Sequence, residues 1–333
     1  MTNMNEAFFE RASLADLPAF GVAHETNAKA GTGCTVVVMP QGAVCGADVR
    51  GGAPATRETD LLRPENMIQK VHSVVLSGGS AFGLAASTGV MDALAEKRIG
   101  FQLGSACVPI VVEACLFDLL VGENVFPGHA EGYAAATAAL AAWEAKATGG
   151  TLAQGNVGAG CGATVGKLLG PQAAMKGGFG WAGLKVKDLV VVALVAVNAC
   201  GNVCDRTGRW IAGCHDGAGN VMDPREAVCR AFAAASAAED APCTNTTLGV
   251  VLTNARLTKA ETTKAASMAH DAYARAIEPV HTMNDGDTIF VAASGEVEAR
   301  MDAVGMMACE AMRDAIVNAV TFAEPAYGLP ASR

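Results

Sequence analysis

Clusters of basic residues and long apolar runs are both missing from this 333-residue sequence. Lysine and arginine number 24 against 33 aspartates and glutamates, which leaves a formal net charge of −9. Nucleic-acid binding requires clustered positive charge against phosphate, so nucleic acid is excluded as a partner. The longest apolar stretch, residues 189–197, is far shorter than the roughly 20 residues that cross a bilayer. The first residues also lack the basic and apolar segments of a secretory signal, so we expect a cytoplasmic protein without a membrane partner.

Aromatic residues are scarce, at 5% of the sequence, whereas 51% is hydrophobic and 38 residues are glycine. This composition indicates a globular core with close backbone packing. The eleven cysteines are an odd number and are scattered, which is typical of reduced thiols rather than of a disulfide framework. Cys200, Cys204, Cys214 and His215 come nearest to a metal pattern, but their spacing fits no standard zinc arrangement. We expect neither a metal nor another cofactor.

The pattern of hydrophobic residues predicts strands and helices that are intermixed, which is typical of a layered α/β or α+β domain. The clearest buried strand is Leu189–Asn198, a continuous and largely β-branched run. Thr258 and Glu261 form a capping box that predicts the start of a long helix ending near residue 277. The remaining predicted elements are strands over residues 32–39, 71–76, 248–253 and 288–293, helices over 81–97, 131–146, 225–238 and 297–320, and a polar linker over 239–246.

Two glycine-rich segments have the layout of nucleotide or nucleophile motifs. Residues 74–84 (VVLSGGSAFGL) lack the last glycine of a nucleophile elbow, because Phe82 stands there, and their glycines do not match the dinucleotide fingerprint. Residues 155–167 (GNVGAGCGATVGK) fail the P-loop pattern at Cys161 and Leu168. They match a relaxed dinucleotide pattern, but no convincing strand precedes them and Lys185 stands near the position of the expected acid. A nucleotide-binding fold is therefore rejected.

Thr246 stands where the polar linker meets a buried strand. A hydroxyl at a strand start usually caps the strand or the turn. Alternatively, the Thr246 hydroxyl attacks the carbonyl of Asn245, and hydrolysis of the resulting ester frees an N-terminal threonine. Its α-amino group, with a reference pKa of about 7.7–8, would then act as the general base beside the hydroxyl.

Four other residues suit this chemistry, and each has a simpler alternative role. Asn198 could stabilise an oxyanion or merely end its strand. Lys167 could lower the pKa of the amine or stabilise charge, or it could be a solvated loop cation. Asp285 and Asp287 could orient the threonine, or they could form an Asp-Gly turn before the next strand.

Five blocks in the same order, spread over most of the chain, resemble the DmpA-type aminopeptidase family, which includes the nylon-oligomer hydrolase. They are SGGSAFGL, GNVGAGCGATVGK, VAVNACG, NTTLGVVLTNARL and ARAIEPVHTMNDGDTIF. The nylon-oligomer hydrolase branch is the more similar one, because it uses threonine as the nucleophile. The other branch carries a serine nucleophile, with a serine and a glutamate near the turn.

The resemblance implies cleavage between Asn245 and Thr246, with Lys167, Asn198, Asp285 and Asp287 as the other catalytic residues. It also implies one catalytic domain of four layers (αββα) with an Ntn-type fold, cut into segments 1–245 and 246–333. The processed units are expected to form a homo-oligomer, specifically a tetramer.

Gly79, Phe82 and Cys161 are the predicted substrate-binding residues. The sequence departs from the family pattern at two of them, since Cys161 replaces threonine or methionine and Phe82 replaces a tyrosine of some members. Both departures concern specificity more than chemistry.

The leading hypothesis is therefore hydrolysis of an amide in a short peptide or in a linear ω-amino acid oligomer. An acyl transferase of the ornithine acetyltransferase type would share the nucleophile and pass the acyl group to an amine. A folded but uncut binding protein is the third possibility.

Overall fold

The computed structural model describes residues 8–145, 152–234 and 245–332. The strands are β1 (Glu10–Ala12), β2 (Gly21–Asn27), β3 (Thr32–Val49), β4 (Ala55–Arg57), β5 (Val71–Ser77), β6 (Phe101–Leu103), β7 (Ala106–Val108), β8 (Val111–Cys115), β9 (Thr164–Val165), β10 (Met175–Lys176), β11 (Gly178–Val186), β12 (Leu189–Asn198), β13 (Asn202–Cys204), β14 (Trp210–Ala212), β15 (Thr246–Ala255), β16 (Ile277–Glu278) and β17 (Thr288–Val297). The helices are α1 (Ala86–Glu96), α2 (His129–Glu144), α3 (Pro224–Ala234), α4 (Lys259–Ala276) and α5 (Met301–Thr321).

Ten strands form one hydrogen-bonded array that bends at the long strand β3 into two halves. The first half has the order β1-β11-β12-β15-β17-β3, and the second contains β2, β3, β5, β8 and β4. The beginning of β3 pairs with β2 and β5, whereas its end pairs with β17. The register with β5 shifts between Val38 and Ala43, on either side of Pro40. This shift lets one strand serve both halves.

The two halves pack face to face around the central core. Along β12, the side chains of Val192 and Leu194 point into this core, while Val191 and Val195 point to the opposite face and contact the helices. Successive side chains of a strand alternate between faces. Because both faces of β12 are buried, the strand is apolar throughout.

Helices cover the outer face of each half. Helices α4 and α5 pack on the first half, and α1 and α2 pack on the second. The alanine-rich sequence of α2 permits close approach to β2 and β3. The resulting order of layers is helix, sheet, sheet, helix, which confirms the predicted four-layer αββα architecture. Among the helices in the described ranges, none combines the length and apolar character needed to cross a bilayer.

Several element boundaries differ from the sequence prediction. The first predicted strand, residues 32–39, continues to Val49. The helix predicted over 81–97 begins as a 3-10 turn, Ser80–Ala85, before α1. The helix predicted from Val297 was wrong at its start, because Val297 still pairs with Ala255 in the sheet and α5 begins at Met301. Residues 235–244, which contain most of the predicted linker and the end of one predicted helix, lie outside the described residues, as does residue 146.

Candidate active site

Three strand ends of the first half-sheet meet at one edge. Strand β12 runs antiparallel to β15 and ends at Asn198, whose register partner is Thr246, the first residue of β15. Strand β17 runs parallel to β15 and begins at Thr288, directly after the segment that carries Asp285 and Asp287. The topology therefore brings together four residues that are far apart in the sequence.

Thr246 is buried, with 3% of its surface exposed. Its hydroxyl donates a hydrogen bond to the carbonyl oxygen of the preceding residue, Asn245. The backbone N–H of Gly286 donates to the same hydroxyl oxygen over 3.0 Å. A Cβ on Gly286 would lie 2.6 Å from that oxygen, so only glycine allows this approach without a shift. The hydroxyl is thus held against the peptide bond that self-cleavage would break.

The segment before β17 places two buried carboxylates beside the start of β15. Oδ1 of Asp287 accepts a hydrogen bond from the Thr247 N–H over 2.7 Å. Oδ2 of Asp285 accepts from the N–H and hydroxyl of Thr282, at 2.7 and 2.6 Å. Burial and the adjacent carboxylate of Asp287 raise the pKa of Asp285, while its bonds to Thr282 and the Lys167 cation oppose that shift.

The residues Arg50 to Ala53 hold this segment from its other side. Arg50 N–H donates to the carbonyl of Asp287, at 2.9 Å, and Ala53 N–H donates to that of Asp285, at 2.8 Å. Gly51 lies so close that a Cβ there would be 2.2 Å from the carbonyl oxygen of Asp285. This support was not predicted from the sequence, although the pair Gly51-Gly52 signals a close backbone approach.

Lys167 lies against the end of β12. Its Nζ donates to Oδ1 of Asn198 at 2.9 Å and to the hydroxyl of Thr164 at 3.0 Å. Burial lowers the pKa of Lys167 to about 7, and the nearby Cys200 and Asp285 limit the shift. The amine is therefore poised to exchange a proton near neutral pH, which a solvated loop cation would not be.

The side chain of Asn198 is also hydrogen-bonded to Thr164 and Phe117. Oδ1 also accepts from the Thr164 N–H over 2.9 Å, and Nδ2 donates to the carbonyl oxygen of Phe117 over 2.9 Å. The amide is buried and oriented by both bonds. Because Nδ2 carries two N–H donors, binding an oxyanion would not require loss of its bond to the Phe117 carbonyl.

Lys176 supports the glycine-rich loop from inside the protein. Its Nζ is fully buried and donates to the carbonyl oxygens of Cys161, at 2.8 Å, and Ala163, at 2.7 Å. Burial lowers the pKa of Lys176 to about 8. Lys176 was not predicted from the sequence, because no neighbouring motif shows that its side chain points into the loop.

A cavity of about 420 Å³ opens beside Lys167. Most of its wall is apolar, and one side is contributed by the C-terminal residues Tyr327 to Leu329. Its lining residues are Phe117, Asp118, Leu120, Val121, Gly122, Thr164, Lys167, Gly170, Pro171, Gln172, Ala174, Tyr327, Gly328 and Leu329.

The three predicted substrate-binding residues are not among the described residues that line this cavity. The Gly79 N–H donates to Oδ1 of Asp118, at 2.7 Å, and Cys161 Sγ lies 3.4 Å from the Tyr327 hydroxyl, so both contact wall residues. Phe82 is 61% exposed and stacks on Phe126 with 4.9 Å between ring centroids. A direct role in substrate binding remains a prediction for all three.

Cys200 and Cys204 belong to the sequence pattern that comes nearest to a metal site. Cys204 Sγ donates to the carbonyl of Arg275 at 3.4 Å, and burial raises the pKa of Cys200 to about 11. Across residues 8–145, 152–234 and 245–332, no three His, Cys, Asp or Glu side chains converge on a possible metal position.

Comparison with known proteins identifies the family of this chain. The sequence matches the model of peptidase family S58 over residues 12–332. It is 39% identical over 348 residues to an uncharacterized aminopeptidase of Mycobacterium leprae, covering 96% of this chain and 92% of the relative. It is 30% identical over 321 residues to the 6-aminohexanoate-oligomer endohydrolase of Paenarthrobacter ureafaciens, covering 91% and 84%.

The fold has solved counterparts as well. The L-aminopeptidase D-Ala-esterase/amidase of Ochrobactrum anthropi superposes with a TM-score of 0.66 at 17% identity, covering 94% of this chain and 86% of that one. That enzyme is described as a variant of the Ntn hydrolase fold. The expected Ntn-type fold is confirmed.

Proposed function

The chain belongs to peptidase family S58 and is an amide-bond hydrolase, and we propose that it cleaves itself before Thr246 and then uses that threonine as its N-terminal nucleophile. The observation that carries the proposal is the Thr246 hydroxyl, which contacts the carbonyl of Asn245 and is held there by the Gly286 N–H.

Self-cleavage proceeds in two balanced steps. The Thr246 oxygen attacks the carbonyl carbon of Asn245 and loses its proton, and the C–N bond breaks as the leaving nitrogen gains a proton. The product is an ester between Asn245 and the Thr246 side chain. Water then hydrolyses this ester, which releases the carboxylate of Asn245 and restores the hydroxyl beside a free α-amino group. Lys167, whose pKa is lowered to about 7, is the candidate for moving the proton.

The mature enzyme repeats this chemistry on a substrate. The α-amino group of Thr246 accepts the hydroxyl proton, the oxygen attacks the substrate carbonyl, and water hydrolyses the acyl enzyme. Asp287 orients the start of β15 through the Thr247 N–H. We assign Asn198 to the oxyanion and Asp285 to the new amine, because both lie at this edge of the sheet.

The proposed substrates are short peptides with a free N-terminal residue or linear ω-amino acid oligomers. The cavity beside Lys167 supports this choice, because its volume of about 420 Å³ and its mainly apolar wall suit a small linear acyl group. The names of the two relatives point to the same two classes. Family membership favours hydrolysis over acyl transfer, and an added amine acceptor that outcompetes water would reverse this preference.

We also propose that the processed units form a tetramer in the cytoplasm. Ten of the eleven cysteines lie in the described part of the chain, and all ten are free, which agrees with a reducing compartment. Light scattering of the mature protein tests the assembly.

The decisive experiment compares two adjacent threonines. Wild-type protein should yield two fragments by intact mass, and Edman degradation should find a chain beginning Thr-Thr-Leu-Gly. Thr246→Ala should stay full length and inactive. Thr247→Val is the matched control, because the buried Thr247 hydroxyl has no hydrogen-bond partner among the residues that the structure describes, and it should process and turn over like wild type. A wild-type preparation that is active yet uncut would refute the proposal.

A further inference from the structure

His281 contacts the carboxylate that orients the start of β15. Its ring Nδ1 lies 2.8 Å from Oδ2 of Asp287, and its backbone N–H donates to the same oxygen over 3.1 Å. Because the carboxylate oxygen accepts, Nδ1 carries the proton and donates. The Asp287 carboxylate is therefore hydrogen-bonded at both oxygens, by His281 at Oδ2 and by the Thr247 N–H at Oδ1.

The backbone of His281 is held in an unusual conformation. Its φ of +58° lies in the left-handed region, which residues other than glycine, asparagine, aspartate and histidine rarely adopt. Such conformations cost free energy and persist where the surrounding contacts impose them, often at functional sites. Here the left-handed turn coincides with both donors of His281 pointing at one carboxylate oxygen.

Two aromatic neighbours fix the ring of His281. Tyr273 lies nearly parallel to it, with 6.0 Å between centroids, and His270 meets it edge-on at 4.9 Å. His270 is fixed in turn, since its Nε2 lies 3.0 Å from the carbonyl oxygen of Asp48 and must donate to it. Burial lowers the pKa of His270 to about 4, so it presents a neutral ring to His281 at neutral pH. The same Tyr273 donates its hydroxyl to the carbonyl of Thr247, at 3.3 Å.

We propose that His281 is a positioning residue for the Thr246 nucleophile, acting through Asp287 and the Thr247 N–H. The inference rests on the function proposed above and adds a residue to it. His281 contacts Asp287 and is not among the described residues that line the cavity, so we expect its loss to lower kcat more than to raise KM.

Two substitutions separate the ring donor from the backbone. Glycine and asparagine both tolerate positive φ, and both keep the backbone N–H. Asparagine also places an amide donor near the position of Nδ1, whereas glycine offers none. His281→Gly should slow self-cleavage about tenfold or more, the size expected for one hydrogen bond to a charged group. His281→Asn should stay within about threefold of wild type, and His129→Asn, on the exposed face of α2, should match wild type.

Self-cleavage is followed by intact mass over time, and the mature proteins are assayed with an aminoacyl p-nitroanilide. We expect the loss in His281→Gly to appear in kcat, with KM unchanged. Thermal stability is compared in the uncut Thr246→Ala background, so that processing does not alter it. The proposal is overturned if His281→Gly processes at the wild-type rate, or if His281→Asn is as slow as His281→Gly at equal stability.

If His281→Gly does not fold, His281→Asn alone tests the proposed role of His281. A stable His281→Asn chain that processes tenfold slower than wild type would overturn the proposal. A wild-type chain that stays uncut in the same assay would instead refute the self-cleavage on which this inference rests. The two failures are therefore distinguishable.

Discussion

Replacing Gly286 by alanine tests whether the position of the Thr246 hydroxyl sets the rate of processing. The new Cβ would lie 2.6 Å from the hydroxyl oxygen and 3.0 Å from the carbonyl oxygen of Ala53. Ordinary contact begins at 3.4 Å, so either the hydroxyl must move by about 0.8 Å or the segment before β17 must give way by the same amount. Gly286 does not have positive φ, so alanine adds volume without forbidding the backbone.

A displacement of this size should slow self-cleavage strongly but lower the free energy of unfolding only modestly. Misplacing a reacting group by about 1 Å can cost on the order of 100-fold in rate. Overpacking a core site typically costs about 1–3 kcal/mol of unfolding free energy. We therefore expect Gly286→Ala to fold, with self-cleavage slowed about 10- to 100-fold.

The assay is a time course of fragment appearance after synthesis, with unfolding measured in denaturant. Gly128→Ala is the control, because in the described part of the chain a Cβ there meets only the end of the Glu131 side chain, at 3.6 Å. Processing of Gly286→Ala at the wild-type rate would show that this N–H and its close approach do not position the nucleophile.

Two further predictions concern Lys167 and the cavity wall. The pKa of Lys167 falls from 10.5 to about 7 on folding, so between about pH 7 and 10.5 the unfolded chain holds more protons and stability rises with pH. Lys167→Met should lose this rise in denaturant titrations at several pH values and should also process slowly; an unchanged pH slope would contradict the assignment. Tyr327→Phe removes a hydroxyl that donates to the Ala28 carbonyl at 2.6 Å, so the C-terminal wall should loosen and KM should rise roughly two- to tenfold at similar kcat. Tyr133→Phe, which removes a hydroxyl that donates to Glu96 on the surface, is its control, and equal KM values for wild type and Tyr327→Phe in steady-state assays would refute the role of the wall.

Elements with strong local signals could be predicted from the sequence. Strand Leu189–Asn198 was predicted with its observed bounds, because an apolar run buried on both faces needs no tertiary information to be recognised. The capping box of Thr258 and Glu261 is present at the start of α4. Strand β3 was predicted too short, since Pro40 marks an end by local rules while the array bends there and continues.

The active-site residues could be predicted only where they stand in a recognisable sequence motif. Thr246, Asn198, Asp285 and Asp287 could be chosen from motif blocks, and the strand order then brings them together. Lys176 and the Arg50 to Ala53 segment could not be chosen, because their partners are not neighbours in the sequence and only the packed fold aims them. His281 lies only six residues before its partner Asp287, but only the left-handed backbone turn aims both of its donors at that carboxylate. The cavity wall at Tyr327 depends on the return of the C-terminus to the glycine-rich loop.

The central position of β15 in the sheet affects how the processed protein would refold. If the backbone is cut before Thr246 as proposed, β15, β17, α4 and α5 belong to a separate polypeptide. That polypeptide stays hydrogen-bonded to the other one through β12 beside β15 and through β3 beside β17. Unfolding then releases two molecules instead of one, so recovery of the mature enzyme depends on protein concentration, whereas recovery of the uncut precursor does not. Dilution during refolding should therefore penalise the mature enzyme alone.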